Sequence, residues 1–199
     1  MTKPSTLVLL PSPQTTAYRA AVLTVLAGLL FVGCGRHAAP AVGNAAENPV
    51  KNAADKITLT TIDSHGLAKA IERRRGKVVL VEFWATWCIP CVKLFPHTVE
   101  LHRRLADRGL SVISVSMDDT EKQQSVLHFL RDHQATFENF IGRYGVGSEG
   151  FDAFRISDGA LPHVKLYDRH GRLQKTFASG GESLAAEKIE AAVDELLKR

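Results

Sequence analysis

Cys88 and Cys91, in the run W-C-I-P-C, are the residues of this chain whose types and spacing could do redox chemistry. Thiols one helical turn apart can close into a disulfide and reopen, and the thiolate is the attacking species. A free thiol, with a pKa of about 8.5, is only a few per cent ionised at pH 7. At the first turn of a helix, unpaired backbone N–H groups and the helix dipole favour negative charge. Cys88, first on such a helix, is therefore the expected nucleophile and Cys91 the resolving thiol. Ile89 and Pro90 between them offer neither a charge nor an acidic proton. A His in that dipeptide would make the pair oxidising, so its absence favours a reductase. Glu82, six residues before Cys88 in an otherwise apolar run, is the third candidate. A buried carboxyl without a partner has a raised pKa and could take the Cys91 proton. The alternative is a strand-end Glu82 turned to solvent or paired with Lys77 or Lys93.

These three residues need a strand that ends where a helix begins. Val78 to Val81 reads as a buried strand, and alternation sets Glu82 on the face opposite Val79 and Val81. After the cysteines, Val92, Phe95, Val99, Leu101 and Leu105 continue a helical stripe to about Arg108, with a kink expected at Pro96 and Gly109 as the stop. Upstream, Ile57 to Ile62 fits a strand, and Asp63 or Ser64 can cap a helix carrying Leu67, Ala70 and Ile71 that Gly76 ends. Downstream, Leu110 to Met117 is a buried-type strand. Thr120 with Gln123 forms a capping-box pattern for a helix carrying Val126, Leu127, Phe129 and Leu130. An extended piece near Thr136 to Ile141 and a short helix near Ser148 to Arg155 follow. Strands Val164 to Tyr167 and Arg172 to Ala178 read as a hairpin about Asp168 to Gly171, and an amphipathic helix from Ser183 to Leu197 closes the chain. This order predicts an α/β fold with a central mixed sheet, part parallel with an antiparallel edge, and helices on both faces.

The 199 residues are 45% hydrophobic and 23% charged, which suits a globular chain. Of the net charge of +4, Lys3 and Arg19 carry two, and the dispersed remainder is no footprint for nucleic acid. The Arg73-Arg74-Arg75 run reads as a solvated helix end. At the N-terminus a polar stretch precedes the apolar segment Ala20 to Val32, shorter than the roughly 20 residues of a membrane span but suited to a secretory signal. Phe31-Val32-Gly33-Cys34 resembles the lipobox of bacterial lipoproteins, with Phe31 where Leu is usual. Residues 1–34 are thus expected to be a signal peptide, with Cys34 lipidated, residues 35–56 a flexible tether, and 57–199 the folded domain. An uncleaved anchor and a simple cleaved signal are the alternatives. Lipidation also accounts for the odd one of three cysteines.

F-W-A-T-W-C-I-P-C, Pro96 five residues after Cys91, and a proline opening a later strand together resemble the thioredoxin fold. Export and the tether make the chain similar to the membrane-attached TlpA/ResA-like thiol:disulfide oxidoreductases, a subgroup tied to cytochrome c biogenesis. The resemblance covers roughly Ile57 to Arg199. It implies that Leu161-Pro162 is a cis peptide facing the cysteines and that Trp87, Pro90, Leu161 and Pro162 form the substrate-binding surface, with Trp87 shielding the cysteine pair. Glu82 matches the buried Asp of thioredoxins. The acid that ResA-like members often carry three positions after the second cysteine is Leu94 here. No cofactor is expected beyond the redox-active Cys88/Cys91 disulfide. The implied partners are protein disulfides or dithiols and an upstream membrane electron donor, with attachment to the membrane outside the cytoplasm through the N-terminus.

A metal-binding carrier is the competing class. His97 and His102 project from the same helix as the cysteines, which disfavours a four-ligand zinc site. A copper carrier of thioredoxin fold would use His163, beside Pro162, as a third ligand, although such carriers usually show C-x-x-x-C. Val92 stands where haem attachment needs a His. Gly145 to Gly150 matches G-x-G-x-x-G by letter but follows Arg143-Tyr144, so it reads as a loop. His65, His128, His133 and His170 read as solvated side chains.

Overall fold

The computed structural model describes residues 56–178 and 184–199. The expected signal peptide, the Cys34 lipidation site and all of the tether but Lys56 lie outside them. Among the described residues, no helix is long and apolar enough to cross a membrane.

Six strands form one sheet: β1 (Leu59–Ile62), β2 (Val78–Trp84), β3 (Leu110–Ser116), β4 (Glu138–Gly142), β5 (His163–Tyr167) and β6 (Leu173–Ala178), in the order β1-β4-β3-β2-β5-β6. β1, β4, β3 and β2 pair in parallel, and β5 and β6 add antiparallel. The helices are α1 (Ser64–Glu72), α2 (Ile89–Leu105), α3 (Gln123–Asp132), α4 (Ser148–Ala153) and α5 (Ala186–Leu197).

All seven residues of β2 are buried, as a central strand covered on both faces requires. The period of two divides them. Val78, Leu80 and Trp84 join a core built with α2, α3 and α5, to which Cys88 and Cys91 belong. Val79, Val81 and Phe83 face a second core with Leu67, Ala70 and Ile71 of α1 and with Phe154 and Ile156. β6 and β1 are the two edges of the sheet, and β6 is mostly exposed.

Asp63, not Ser64, caps α1, its Oδ1 accepting from the Gly66 N–H at 2.8 Å. Arg74 departs from the solvated reading of the arginine run. It donates to Ser111 Oγ at 2.9 Å and pairs with Glu138, tying the end of α1 to β3 and β4. The capping box at Thr120 does not form. A 3₁₀ turn, Thr120–Lys122, comes first, closed by Lys122 N–H on the Asp119 carbonyl, so Thr120 sits inside the turn and α3 starts with no side-chain cap. α2 runs through Pro96 as one helix and passes into a 3₁₀ turn, Ala106–Arg108, that Gly109 ends at φ +101°.

Candidate active site

The strand-to-helix corner holds the cysteines. β2 ends at Trp84, and Asp118, two residues past β3, receives the loop that follows. Its Oδ2 accepts from the Thr86 N–H at 2.9 Å and its Oδ1 from the Thr86 hydroxyl at 2.6 Å. The Ser116 hydroxyl donates to the same carboxylate at 2.7 Å. The corner is thus pinned to the end of the neighbouring strand before α2 begins. The sequence reading gives Asp118 no role. The available signal was an acid directly after a buried strand, and its partner is 32 positions away.

Cys88 is the N-cap of α2, and its sulfur accepts from the Cys91 N–H at 3.3 Å. The two cysteines are joined as a disulfide, with Cα atoms 5.2 Å apart. Pro90 stands in the first turn, where the missing N–H has no intrahelical partner to lose. Cys88 is 6% exposed and Cys91 fully buried, so an incoming partner meets Cys88 first.

Glu82 emerges on the cysteine side of the sheet, under α2. It is fully buried, and neither carboxyl oxygen has a hydrogen-bond partner among the described residues. Burial pushes its pKa up to about 7, with Thr98 of α2 acting in the opposite sense. Neither Lys77 nor Lys93 forms an ion pair with it. Such a carboxyl can gain or lose a proton near neutral pH.

Leu161-Pro162 is a cis peptide at the entry to β5. Leu161 lines a groove of about 420 Å³ with Trp87, Cys88, Ile89, Pro90, Val146, Phe151 and Gly159. Pro162 is buried and borders a smaller recess together with Pro90 and Leu94. Trp87 stands beside the pair, at the groove that Cys88 also lines. It is 57% exposed and forms part of the groove's rim. The buried indole is Trp84, packed against Phe95 and Phe129 at 4.7 and 4.6 Å between ring centroids.

His163 does not join the cysteines. It lies on the other face of the sheet, edge-on to Phe83 at 6.1 Å, with Nδ1 3.2 Å from Asp158. His102 packs against Phe137, and His97 lies 3.8 Å from Glu190. Among the described residues no three His, Cys, Asp or Glu side chains cluster to hold a metal ion. His133 is not simply solvated, since its ring stacks on Phe129 at 4.0 Å.

Gly145 to Gly150 does follow a buried strand, β4, contrary to the sequence reading. Its glycines nevertheless serve packing. A Cβ on Gly150 would lie 2.0 Å from the Gly145 carbonyl oxygen, so the loop is folded on itself rather than around a ligand. A cavity of about 780 Å³ between α1 and the end of α4 lies on the sheet face away from the cysteines.

The sequence profile of the AhpC/TSA family matches residues 50–176. The chain belongs to that family. This AhpC/TSA-family protein is 32% identical over 118 residues to the thiol-disulfide oxidoreductase ResA of Bacillus thuringiensis (strain Al Hakam), the match covering 56% of the chain and 60% of that relative. It thus spans less than two thirds of that relative's length. It is 31% identical over 156 residues to the thiol-disulfide oxidoreductase ResA of Oceanobacillus iheyensis, covering 78% of the chain and 72% of the relative. A thiol:disulfide interchange protein of the thioredoxin family from Chlorobium tepidum superposes with a TM-score of 0.50 at 22% identity, over 63% of this chain and 83% of that one. The fold of this AhpC/TSA-family member is thioredoxin-like, as the mixed six-stranded sheet with helices on both faces leads one to expect.

Proposed function

We propose that the protein is a thiol:disulfide oxidoreductase that reduces protein disulfides outside the cytoplasm through Cys88 and Cys91. The observation that carries this reading is the Cys88–Cys91 disulfide capping α2, with its first sulfur at the groove and its second in the core. In the reduced protein the Cys88 thiolate attacks one sulfur of the substrate disulfide. That S–S bond breaks, a mixed disulfide forms, and the other substrate sulfur leaves as a thiolate. Cys91 then attacks Cys88 Sγ, giving up its proton to Glu82, and the substrate departs with two electrons gained while Cys88–Cys91 closes. No cofactor beyond the cysteine pair takes part. An upstream membrane donor of electrons reopens the pair, and attachment follows from the Cys34 lipobox. A setting in cytochrome c biogenesis belongs to the same proposal.

Reduction of insulin disulfides tests the reaction. Cys88→Ser should abolish turnover and Cys91→Ser should accumulate a mixed disulfide; an active Cys88→Ser protein refutes the mechanism. A reduction potential near or below about −250 mV supports the reducing direction, and one near −120 mV overturns it.

A further inference from the structure

The groove beside Cys88 is built from two stretches far apart in sequence. Trp87 to Pro90 come from the cysteine corner, and Val146, Phe151, Gly159 and Leu161 from the segment between β4 and β5. No charged side chain lines it, and large apolar side chains stand open at it: Ile89 is 68% exposed and Val146 42%. Exposed apolar surface that surrounds a reactive sulfur favours a partner able to cover it. A charged partner residue would lose water there and find no counter-charge.

The second stretch is a fastened wall. Gly150 packs on the Gly145 carbonyl, and the Phe151 N–H donates to Gly147 O at 2.9 Å. Behind it, Lys165 Nζ donates to the carbonyls of Phe154 and Arg155 at 2.7 and 3.0 Å, and Phe154 packs on Phe83 with centroids 5.4 Å apart. A wall held in this way presents the same apolar side chains to each substrate instead of adapting to it.

We infer that this groove selects cysteines flanked by bulky apolar residues in an extended substrate segment, and that Val146 and Phe151 set the selectivity. The inference rests on the oxidoreductase reading and names the substrate class for that site. Continuity with Cys88 identifies the occupant: a chain whose sulfur reaches Cys88 must lay its neighbouring residues along the groove.

The test uses two peptides, one with its cysteine between Leu and Phe and the other with it between two Glu, each carried as a mixed disulfide with thionitrobenzoate. The Cys88 thiolate attacks the peptide sulfur, thionitrobenzoate leaves and is read by its absorbance, and Cys91 then releases the peptide thiol. Rates are divided by those with dithiothreitol to remove intrinsic differences between the two disulfides. The reduced protein should show at least a tenfold higher kcat/KM on the apolar peptide. Phe151→Ala should lower that ratio severalfold. Val146→Lys should lower it as well and raise the rate on the acidic peptide at least threefold, a gain that loss of folding does not produce. A wild-type ratio within twofold, or a ratio unmoved by Val146→Lys, overturns the inference while leaving the oxidoreductase reading intact. Absence of exchange with either peptide and with insulin sinks both.

Discussion

Removing a carboxyl from water without a hydrogen-bond partner disfavours its charged form and raises its pKa, and Glu82 is in that position. Its pKa rises from 4.5 to about 7 on folding. Between those values the unfolded chain has lost the proton that the folded chain keeps, so stability falls as pH rises across the window and levels off above it. Each unit is worth about 1.4 kcal/mol, so Glu82→Gln should be more stable than the wild type by about 3 kcal/mol or slightly more at pH 9 and gain nothing near pH 4. Urea denaturation at the two pH values checks this, and a pH-independent difference would contradict it. In stopped-flow exchange, Glu82→Ala should leave the attack of Cys88 nearly intact and slow resolution by Cys91. Equal effects on both steps would remove Glu82 from the mechanism. Asp118 makes a different demand. Asp118→Ala strips both Thr86 donors of their acceptor and should cost about 2–3 kcal/mol by denaturant melt, with slower attack by Cys88. Cys88, Cys91 and Glu82 were legible because their spacing along one run carries their chemistry. Asp118 was not, because its role is a contact across strands between residues 32 positions apart.

Among the elements, the strongly patterned ones were readable. β2, β3, α2 and the β5–β6 hairpin lie within a few residues of the positions their apolar periodicity indicates. Local polar signals failed where the backbone chose another geometry, as at Thr120, whose 3₁₀ turn displaces the helix start. The segment from Gly145 to Gly150 read as a loop despite its G-x-G-x-x-G letters, and the packing of Gly150 on the Gly145 carbonyl, a contact the letters do not announce, is what its glycines serve. That contact gives a sharp contrast between glycines. Gly150→Ala forces a backbone shift and should cost more than about 2 kcal/mol. Gly76, at φ +89° with open space around its Cβ position, should cost about 1–2 kcal/mol on replacement by Ala through backbone strain alone. Thermal melts of the two variants decide it, and a Gly150→Ala protein as stable as Gly76→Ala would count against the packing argument.

On the scale of the molecule, the sheet separates two tasks that the sequence interleaves. Alternate residues of β5 face opposite ways: Val164 and Leu166 join the cysteine-side core, while His163 and Lys165 hold Asp158 and the end of α4 on the other side. The alternation of that strand was readable, but which face held the reaction depended on pairing with β2, a long-range fact. Because the two faces share few partners, Phe151→Ala and Glu82→Gln should change stability additively to within about 0.5 kcal/mol in a double-mutant cycle. A larger coupling would show that wall and core act as a unit. The anchoring of the wall by Lys165 from behind has a consequence for how such a protein can diversify. The anchorage of the Val146–Phe151 wall lies on the face of β5 opposite the cysteine-side core, so substitutions in that wall need not disturb the proton and sulfur chemistry. A designer wanting a new substrate could exchange Val146 and Phe151 and leave every residue between Glu82 and Cys91 as it is.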